Sequence, residues 1–256
     1  MTTSRILTVL LLCAATGLQA QAPRYAAGWL DGARLHQVIR SDIRTQSGGR
    51  TSVEQAGRDG LLEFTAAAAD SAIALVGWFD SLSIWRLAGG ERYAPDTDGL
   101  VGGRYHGSLT PLGRYTAEDT PFIPDPLAEL AELGGAVGDL FPPLSGVDLA
   151  PGSSAHLAGG WTISRRTDSS TAAGPLQRYR LDGARQRKQT GVINDSTRVE
   201  AATDETEKGT VFWSAGRGLI RWERRIQIDV NLPAQGMVHR AVRTAVEQHV
   251  VVERVE

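Results

Sequence analysis

The side chains that could do chemistry in this sequence are few and widely separated. Ser153 and Ser154 lie near His156 in the segment PGSSAHL, the closest approach of a nucleophile to a base. The sequence indicates no acid that would orient this histidine, and two residues along an irregular loop do not define a triad. The chain also has no G-x-S-x-G turn. We therefore interpret the segment as a turn that leads into a strand.

Metal and cofactor patterns are also missing. The five histidines show neither H-x-H nor H-E-x-x-H spacing. Asp96-Thr97-Asp98-Gly99 resembles the opening of a calcium loop, but Tyr105 and His106 stand where a bidentate acid is expected. The one cysteine, Cys13, lies in the N-terminal segment, so the rest of the chain has no thiolate. The sequence predicts no catalytic residue, no metal site and no cofactor.

The aromatic residues are more informative. All six tryptophans follow the N-terminal segment, and those in β-like stretches suit a half-buried pleated surface. They could fill a core, or some of them could line a concave apolar groove together with a neighbouring helix. Sequence alone does not separate these two interpretations. The candidate groove residues are Trp78, Trp85, Leu130, Leu133, Val137, Trp213 and Trp222.

Charge is unevenly distributed along the chain. The formal net charge of −2 argues against a general nucleic-acid binder. Basic residues nevertheless exceed acidic ones over residues 161–225, whereas the preceding part is acidic. Arg221, Arg224 and Arg225 are candidates for contact with an anionic surface, such as lipid headgroups. The alternative is a solvated outer sheet face on which each arginine pairs with a neighbouring glutamate.

The first twenty residues predict export. Arg5 provides a positive start, Ile6–Ala15 an apolar run, and Leu18-Gln19-Ala20 a cleavage site. The run is shorter than the ~20 residues needed to span a bilayer. Leu12 precedes Cys13 where a lipoprotein signal requires a small residue, so lipid anchoring is not favoured. We expect a signal peptide, an exported protein, and no transmembrane segment after cleavage.

Most of the remaining chain alternates as β-strands do. In Arg34–Thr45 the apolar residues Leu35, Ile39 and Ile43 fall on one face and the charged residues on the other. Asp59-Gly60 and Asp182-Gly183 predict hairpin turns between successive strands. Other predicted strands are Ile73–Phe79, Leu82–Leu87, Trp161–Arg166, Leu219–Leu232 and Val242–Val255.

One stretch in the middle has helical character. Asp125 can cap a helix that starts at Pro126, and Leu127, Leu130, Leu133, Val137 and Leu140 recur at helical spacing. Its glycines weaken the helix, which must therefore pack on other elements to exist. Pro142-Pro143 ends it. We predict a helical connector at about 125–141.

These patterns predict a mainly β protein: an antiparallel curved sheet or half-barrel built from two similar halves. The predicted organisation is a signal peptide (1–20), an N-terminal tether (21–32) and a single β-rich domain (33–256). Within that domain, halves 33–120 and 159–256 are joined by connector 121–158. A gapless alignment of Gly99–Asp119 with Gly209–Asp229 indicates an internal duplication.

Four short motifs carry a resemblance to a known family. They are Leu109–Arg114 (LTPLGR), the stripe Leu127–Leu140, Phe141–Leu144 (FPPL), and Pro151-Gly152-Ser153 followed by Trp161. The chain resembles, over about Arg34–Val255, a family of uncharacterised exported bacterial β-rich proteins, some of them lipoproteins. The resemblance implies an architecture similar in style to the half-barrels of periplasmic lipid and lipoprotein carriers. It implies no activity.

The predicted function is therefore that of an exported, non-enzymatic protein of the cell envelope. It would bind an apolar or lipid-like ligand, or an envelope protein. One alternative is a structural or protein-interaction module with a solid core. Another is an enzyme whose site is assembled only by folding. An open apolar cavity would favour the first function, and a filled core the second.

Overall fold

The computed structural model describes residues 22–124, 127, 133–171, 174–193, 197–235 and 239–255, so the predicted signal peptide lies outside the described residues. Twelve strands occur in those ranges. They are β1 Arg34–Ser47, β2 Arg50–Ala69, β3 Ala72–Ala88, β4 Glu91–Tyr93, β5 Tyr105–Leu109, β6 Tyr115–Asp119, β7 Ser154–Leu157, β8 Trp161–Thr171, β9 Gly174–Ile193, β10 Thr197–Ser214, β11 Gly218–Leu232 and β12 Val242–Val255.

All twelve strands belong to one open, curved antiparallel sheet, which confirms the predicted fold class. The order is β6-β5-β3-β2-β1-β12-β11-β10-β9-β8-β7, with β4 paired to β3. The first and last strands therefore pair at the centre of the sheet, over fourteen residues of β1 from Arg34 to Ser47. Each half continues outward as antiparallel neighbours. The short strands β6 and β7 form the two edges.

The two windows aligned in the sequence do not correspond strand by strand. Gly99–Asp119 contains β5 and β6, whereas Gly209–Asp229 contains the end of β10 and most of β11. Strand numbers do run in the same direction across both halves of the sheet, as a tandem repeat would give. The duplication stays a prediction.

The connector runs from one edge strand to the opposite one and packs across one face of the sheet. Its side chains belong to the same buried cluster as strand residues from both halves. Leu133, Val137 and Leu140 are at most 1% exposed. We call the face covered by the connector the inner face, and the opposite one the outer face.

Leu127 is α-helical, and the part of the connector described from residue 133 onward contains two single 3₁₀ turns. They span Leu133–Gly135 and Gly138–Leu140, and residues 128–132 lie outside the described residues. Glycine loses more backbone freedom than alanine in a helix, and three glycines fall within five residues here. The predicted apolar stripe is nevertheless buried, because Leu133, Val137 and Leu140 all face the core.

The segment predicted as a tether also packs into the core. Helix α1, Ala27–Leu30, is one turn long. Tyr25 is 4% exposed and donates a hydrogen bond from its hydroxyl to the carbonyl of Pro142 at 3.3 Å. Its ring also meets Phe141 and Trp213 edge-on, with centroids 5.5 and 5.1 Å away. The N-terminal segment thereby ties the connector to the sheet.

The predictions of turns at Asp59-Gly60 and Asp182-Gly183 were wrong, because both pairs lie inside long strands. Each glycine leaves room for an aromatic ring on a neighbouring strand. A Cβ on Gly60 would lie 2.8 Å from Phe79, and one on Gly183 would lie 2.8 Å from Trp161. Interior strand glycines commonly mark such close approaches. The residues that suggested turns instead accommodate aromatic rings that lie in the core or pack against it.

Candidate ligand groove

The connector covers only part of the inner face. Beyond it, the long strands β1, β11 and β12 continue with β2 and β10 beside them, and together they form a groove of about 450 Å³. We call this the groove. Its apolar walls consist of Ile39, Ile43, Ile226, Ile228, Val230, Val246 and Val250.

Strand periodicity explains these walls. Successive side chains point to opposite faces, so Ile226, Ile228 and Val230 all reach the inner face from β11. Ile228 and Val230 are only half-buried, unlike the core residue Val250. β-Branched residues also suit the pleated surface. The groove is thus an extension of the core face that the connector leaves uncovered.

A buried ion pair closes the end of the groove next to the connector. Arg224 Nη1 lies 3.2 Å from Glu207 Oε1, and the two side chains are only 8% and 3% exposed. Arg224 Nη2 donates to the backbone carbonyl of Asp139 in the connector at 3.2 Å. Arg224 therefore joins β10, β11 and the connector at one point.

Two further polar contacts line the same face. Arg185 pairs with Glu205 at 2.9 Å, and Arg58 donates to Gln37 Oε1 at 2.7 Å. Arg58 and Gln37 are almost fully buried. Isolated buried charges are costly, so pairing of this kind is needed for an inner face to carry them. The groove therefore combines apolar walls with a polar inner end.

The electrostatics of this inner end shift the pKa of one buried carboxyl group. Burial raises the pKa of Glu207, and the nearby Arg224 only partly opposes that shift. Protonation of Glu207 would leave Arg224 without its closest counter-charge. Arg224 Nε is also buried and has no hydrogen-bond partner among the described residues. Arg224 thus has donor capacity that no described residue uses.

A second cavity, of about 810 Å³, lies where the strands end. It is lined by the β1–β2 turn and by the adjacent ends of β11 and β12, a few residues beyond the groove walls. Arg50, Lys188 and Arg243 contribute basic side chains to it, with Glu200 as the acidic one. We call it the end cavity. Its lining includes one cross-strand row of residues that alternation places on the outer face: Gln46, Arg243, Asn231, Ala202 and Lys188. The end cavity is therefore separate from the groove.

Four of the seven predicted groove residues lie in the core. Leu133 and Val137 pack from the connector into the buried cluster, and Trp213 and Trp222 are 1% and 3% exposed. Trp213 meets Trp29 edge-on at 5.6 Å. Trp222 comes closest to the groove, because the Arg224 guanidinium lies 4.3 Å from its ring centroid. Leu130 lies outside the described residues.

Trp78 and Trp85 lie on the outer face, outside the groove. The structure therefore does not bring the seven predicted side chains together at one site. They neighbour Phe79 and Ile84, which are buried on the inner face, and strand alternation turns the indoles the other way. Arg104 lies 3.7 Å above the Trp78 ring, and arginines also flank Trp85. These tryptophans make cation–π contacts.

The three predicted arginines are also separated by the pleat of β11. Arg221 lies on the outer face and forms ion pairs with Glu223 and with Glu253, the latter at 2.8 Å. Arg225 is exposed on that same face. Arg224 alone reaches the groove. The arginines therefore do not form one rim, and only Arg224 is placed to contact a ligand there.

Comparison with known proteins adds information on the fold. No protein-family model matches the chain, and no curated protein matches its sequence significantly. The fold is similar to part of lipovitellin. That structure, which concerns lipid–protein interactions in lipovitellin, matches 88% of this chain at 8% identity with a TM-score of 0.50. The matched region is 25% of the lipovitellin chain, so this protein spans about a quarter of its length.

A second solved structure gives a much poorer superposition. It is a DUF1329 family protein from Desulfovibrio piger, matched over 85% of this chain and 84% of that one at 8% identity. The TM-score of 0.17 is too low for the two folds to be compared. The similarity to lipovitellin therefore describes this protein's fold and nothing finer.

Other chemistry considered in the sequence is not assembled in the described ranges. Ser153 Oγ donates to the carbonyl of Ala150 at 2.6 Å, whereas His156 Nδ1 lies 3.1 Å from Thr162 Oγ1. The described residues contain no group of three or more His, Cys, Asp or Glu side chains that could hold a metal ion. No helix among them is long and apolar enough to cross a membrane.

Sequence reasoning did not identify Glu207, Arg58 or Gln37 as inner-face residues. A signal for Glu207 was nevertheless present in β10. Val211 and Trp213 lie in the core, and counting back by twos places Glu207 on the same face. A charged residue at an apolar position of an alternating strand is the pattern that could have been used.

Proposed function

We propose that this protein is an exported, non-enzymatic binder of an anionic amphiphile such as a long-chain fatty acid. The observation that supports this most directly is the row of half-buried Ile and Val side chains that the connector leaves uncovered. Removing apolar surface from water contributes roughly 25 cal/mol per Å². An apolar tail along this row would complete the burial that the connector begins.

The size of the groove fits an acyl tail. A strand rises roughly 3.3 Å per residue, so the groove wall from Ile226 to Val230 offers about 13 Å of contact to the tail. A tail would lie parallel to β11, in contact with the aliphatic side chains of β1 and β12 on either side.

The inner end of the groove suits a carboxylate headgroup. Arg224 faces the groove, and its Nε has no hydrogen-bond partner among the described residues. Arginine binds carboxylates through charge-assisted and often bidentate hydrogen bonds. Because burial raises the pKa of Glu207, that residue can become neutral when a second carboxylate arrives. Arg224 could then transfer its interaction from Glu207 to the ligand.

Two further considerations support this proposal. The sheet has a fold similar to part of lipovitellin, a protein solved for its interactions with lipid. The N-terminal sequence is typical of an exported protein, which would encounter amphiphiles in the cell envelope. Ile228 and Val230 are not among the buried core residues, so the core does not fill the whole inner face.

The test is a calorimetric titration of the purified protein with oleate below its micellar concentration, together with native mass spectrometry. Ile228→Asp places a carboxylate on the groove wall and should weaken binding by at least about tenfold, because a charge would contact the tail. Gln227→Asp is the matched control. It adds a carboxylate to the next residue of β11, on the exposed outer face.

Saturable oleate binding that Ile228→Asp abolishes and Gln227→Asp retains would support the groove. Absence of saturable binding by the wild-type protein would refute the proposal. Equal loss in both variants would refute the assignment of the ligand to the inner face.

A further inference from the structure

The outer face carries a row of basic side chains on four adjacent strands. Arg40 on β1 pairs in register with His249 on β12, His249 with Arg225 on β11, and Arg225 with Lys208 on β10. All four are exposed. Neighbouring strands lie roughly 4.8 Å apart, so adjacent members are close enough to contact one small ion. We call these four residues the basic row.

Such a row has an electrostatic cost. Like charges directly opposite each other on neighbouring strands are destabilising. Within the described residues neither Lys208 nor Arg225 forms an ion pair or a side-chain hydrogen bond. The row thus brings positive charges close together, and no described acidic residue pairs with Lys208 or Arg225.

The acids around the row are mostly engaged elsewhere. Asp182, opposite Lys208, pairs with Arg180 at 2.8 Å, and Glu223 pairs with Arg221. Asp42 accepts a hydrogen bond from Gln55 at 2.8 Å. Glu247 lies on the β12 side, opposite Asp42. The uncompensated charge is therefore concentrated on the β10–β11 side of the row.

The surface is also indented at this point. Two shallow depressions, of about 480 and 320 Å³, are both lined by Lys208, Arg225 and His249. The first depression also includes Arg40. A ligand in either one would contact the same three donors. Shape and charge therefore coincide at Arg225, the middle member of these three.

We propose that Lys208, Arg225 and His249 form a binding site for a multivalent oxyanion, a phosphate group in particular. Arginine can bind two phosphate oxygens through its planar fork, and lysine contributes a point charge. An imidazole N–H supplies a third donor from the neighbouring strand. The phosphate could be free, or it could be the headgroup of an anionic lipid. This site lies on the opposite face of the sheet from the groove and does not depend on it.

The test uses the full-length mature protein at constant ionic strength. Inorganic phosphate is titrated in exchange for chloride while the ring resonances of His249 are followed by NMR. A parallel arm measures co-sedimentation with vesicles of equal parts phosphatidylcholine and phosphatidic acid, and with phosphatidylcholine alone. The key variant is Lys208→Gln/Arg225→Gln, which should weaken phosphate-dependent binding by about tenfold or more through loss of two charge-assisted contacts.

The matched control is Arg44→Gln/Lys188→Gln. It removes the same charge from two exposed positions of the same sheet that are not cross-strand neighbours. Arg225→Lys keeps the charge and should retain most of the binding. Each variant should unfold in urea at a midpoint close to that of the wild-type protein, which would show that the substitutions leave the fold intact.

A saturable His249 response to inorganic phosphate would support a site for free phosphate. A response only to phosphatidic acid vesicles would support a headgroup site. No response in either arm would overturn the proposal, and so would equal losses in the key variant and the matched control.

Discussion

Leu140→Ala tests whether the connector is part of the core or a removable cover. Leu140 is fully buried, and its neighbour Phe141 contacts Tyr25 and Phe64 in the same cluster. The substitution removes three carbons, each contributing about 0.8 kcal/mol of transfer free energy, or about 2.4 kcal/mol together. The cavity left behind adds to this loss. We therefore expect the free energy of unfolding to fall by about 3–4 kcal/mol.

The assay is urea unfolding followed by tryptophan fluorescence and circular dichroism, which should give coincident transitions with an unchanged m-value. Leu112→Ala is the control, because Leu112 hydrogen-bonds to the connector through its backbone but its side chain is 41% exposed. It should cost less than about 1.5 kcal/mol. If Leu140→Ala costs no more than Leu112→Ala, the connector is a detachable cover and the inner boundary of the groove has been misplaced.

Two further predictions concern one charged residue and one glycine. Because burial raises the pKa of Glu207, its folded state binds a proton more tightly than the unfolded chain. Its contribution to stability is therefore complete at low pH and is lost as pH rises from about 4.5 through the raised pKa. Glu207→Gln should remove this part of the pH dependence in denaturant unfolding across pH 4–8, and identical pH profiles would contradict the assignment. A methyl group on Gly77 would lie 2.7 Å from buried Phe64, so Gly77→Ala should destabilise by about 1–3 kcal/mol. Gly216→Ala, where nothing lies within 4 Å, should change little, and equal thermal shifts would refute the argument.

Alternation along the strands was enough to predict the fold class. Arg34–Thr45 was predicted almost as β1 appears, because Leu35, Ile39 and Ile43 share one face and the charged residues lie on the other. Gly48-Gly49 was correctly interpreted as a break, and both residues adopt positive φ there. Local patterns therefore predicted strands wherever polarity and backbone preference agreed.

The strand glycines were misinterpreted because their reason lies on another strand. Gly60 and Gly183 resemble turn residues in sequence, yet each accommodates a ring from the neighbouring strand. Periodicity likewise gives the two faces of a strand but does not say which ring packs where. This is why Trp78 and Trp222 were grouped together although they face opposite sides of the sheet.

The candidate site was harder to predict than the fold. Arg224 was singled out for its charge, but its position beside Glu207 and Asp139 depends on the register of β10 with β11 and on the path of the connector. Neither can be read from local spacing. The groove itself depends on how far the connector reaches across the inner face.

The central pairing of β1 with β12 has a consequence for how the protein folds during synthesis. Thr45 and Thr244 are hydrogen-bonded neighbours although 199 residues separate them. Until β12 is available, β1 and β11 each present an unpaired edge, and such edges invite pairing with other chains. Contacts this distant in sequence also form slowly. Folding of this sheet should therefore be late and cooperative, and its nascent halves should depend on chaperones or on export in an unfolded state to avoid aggregation.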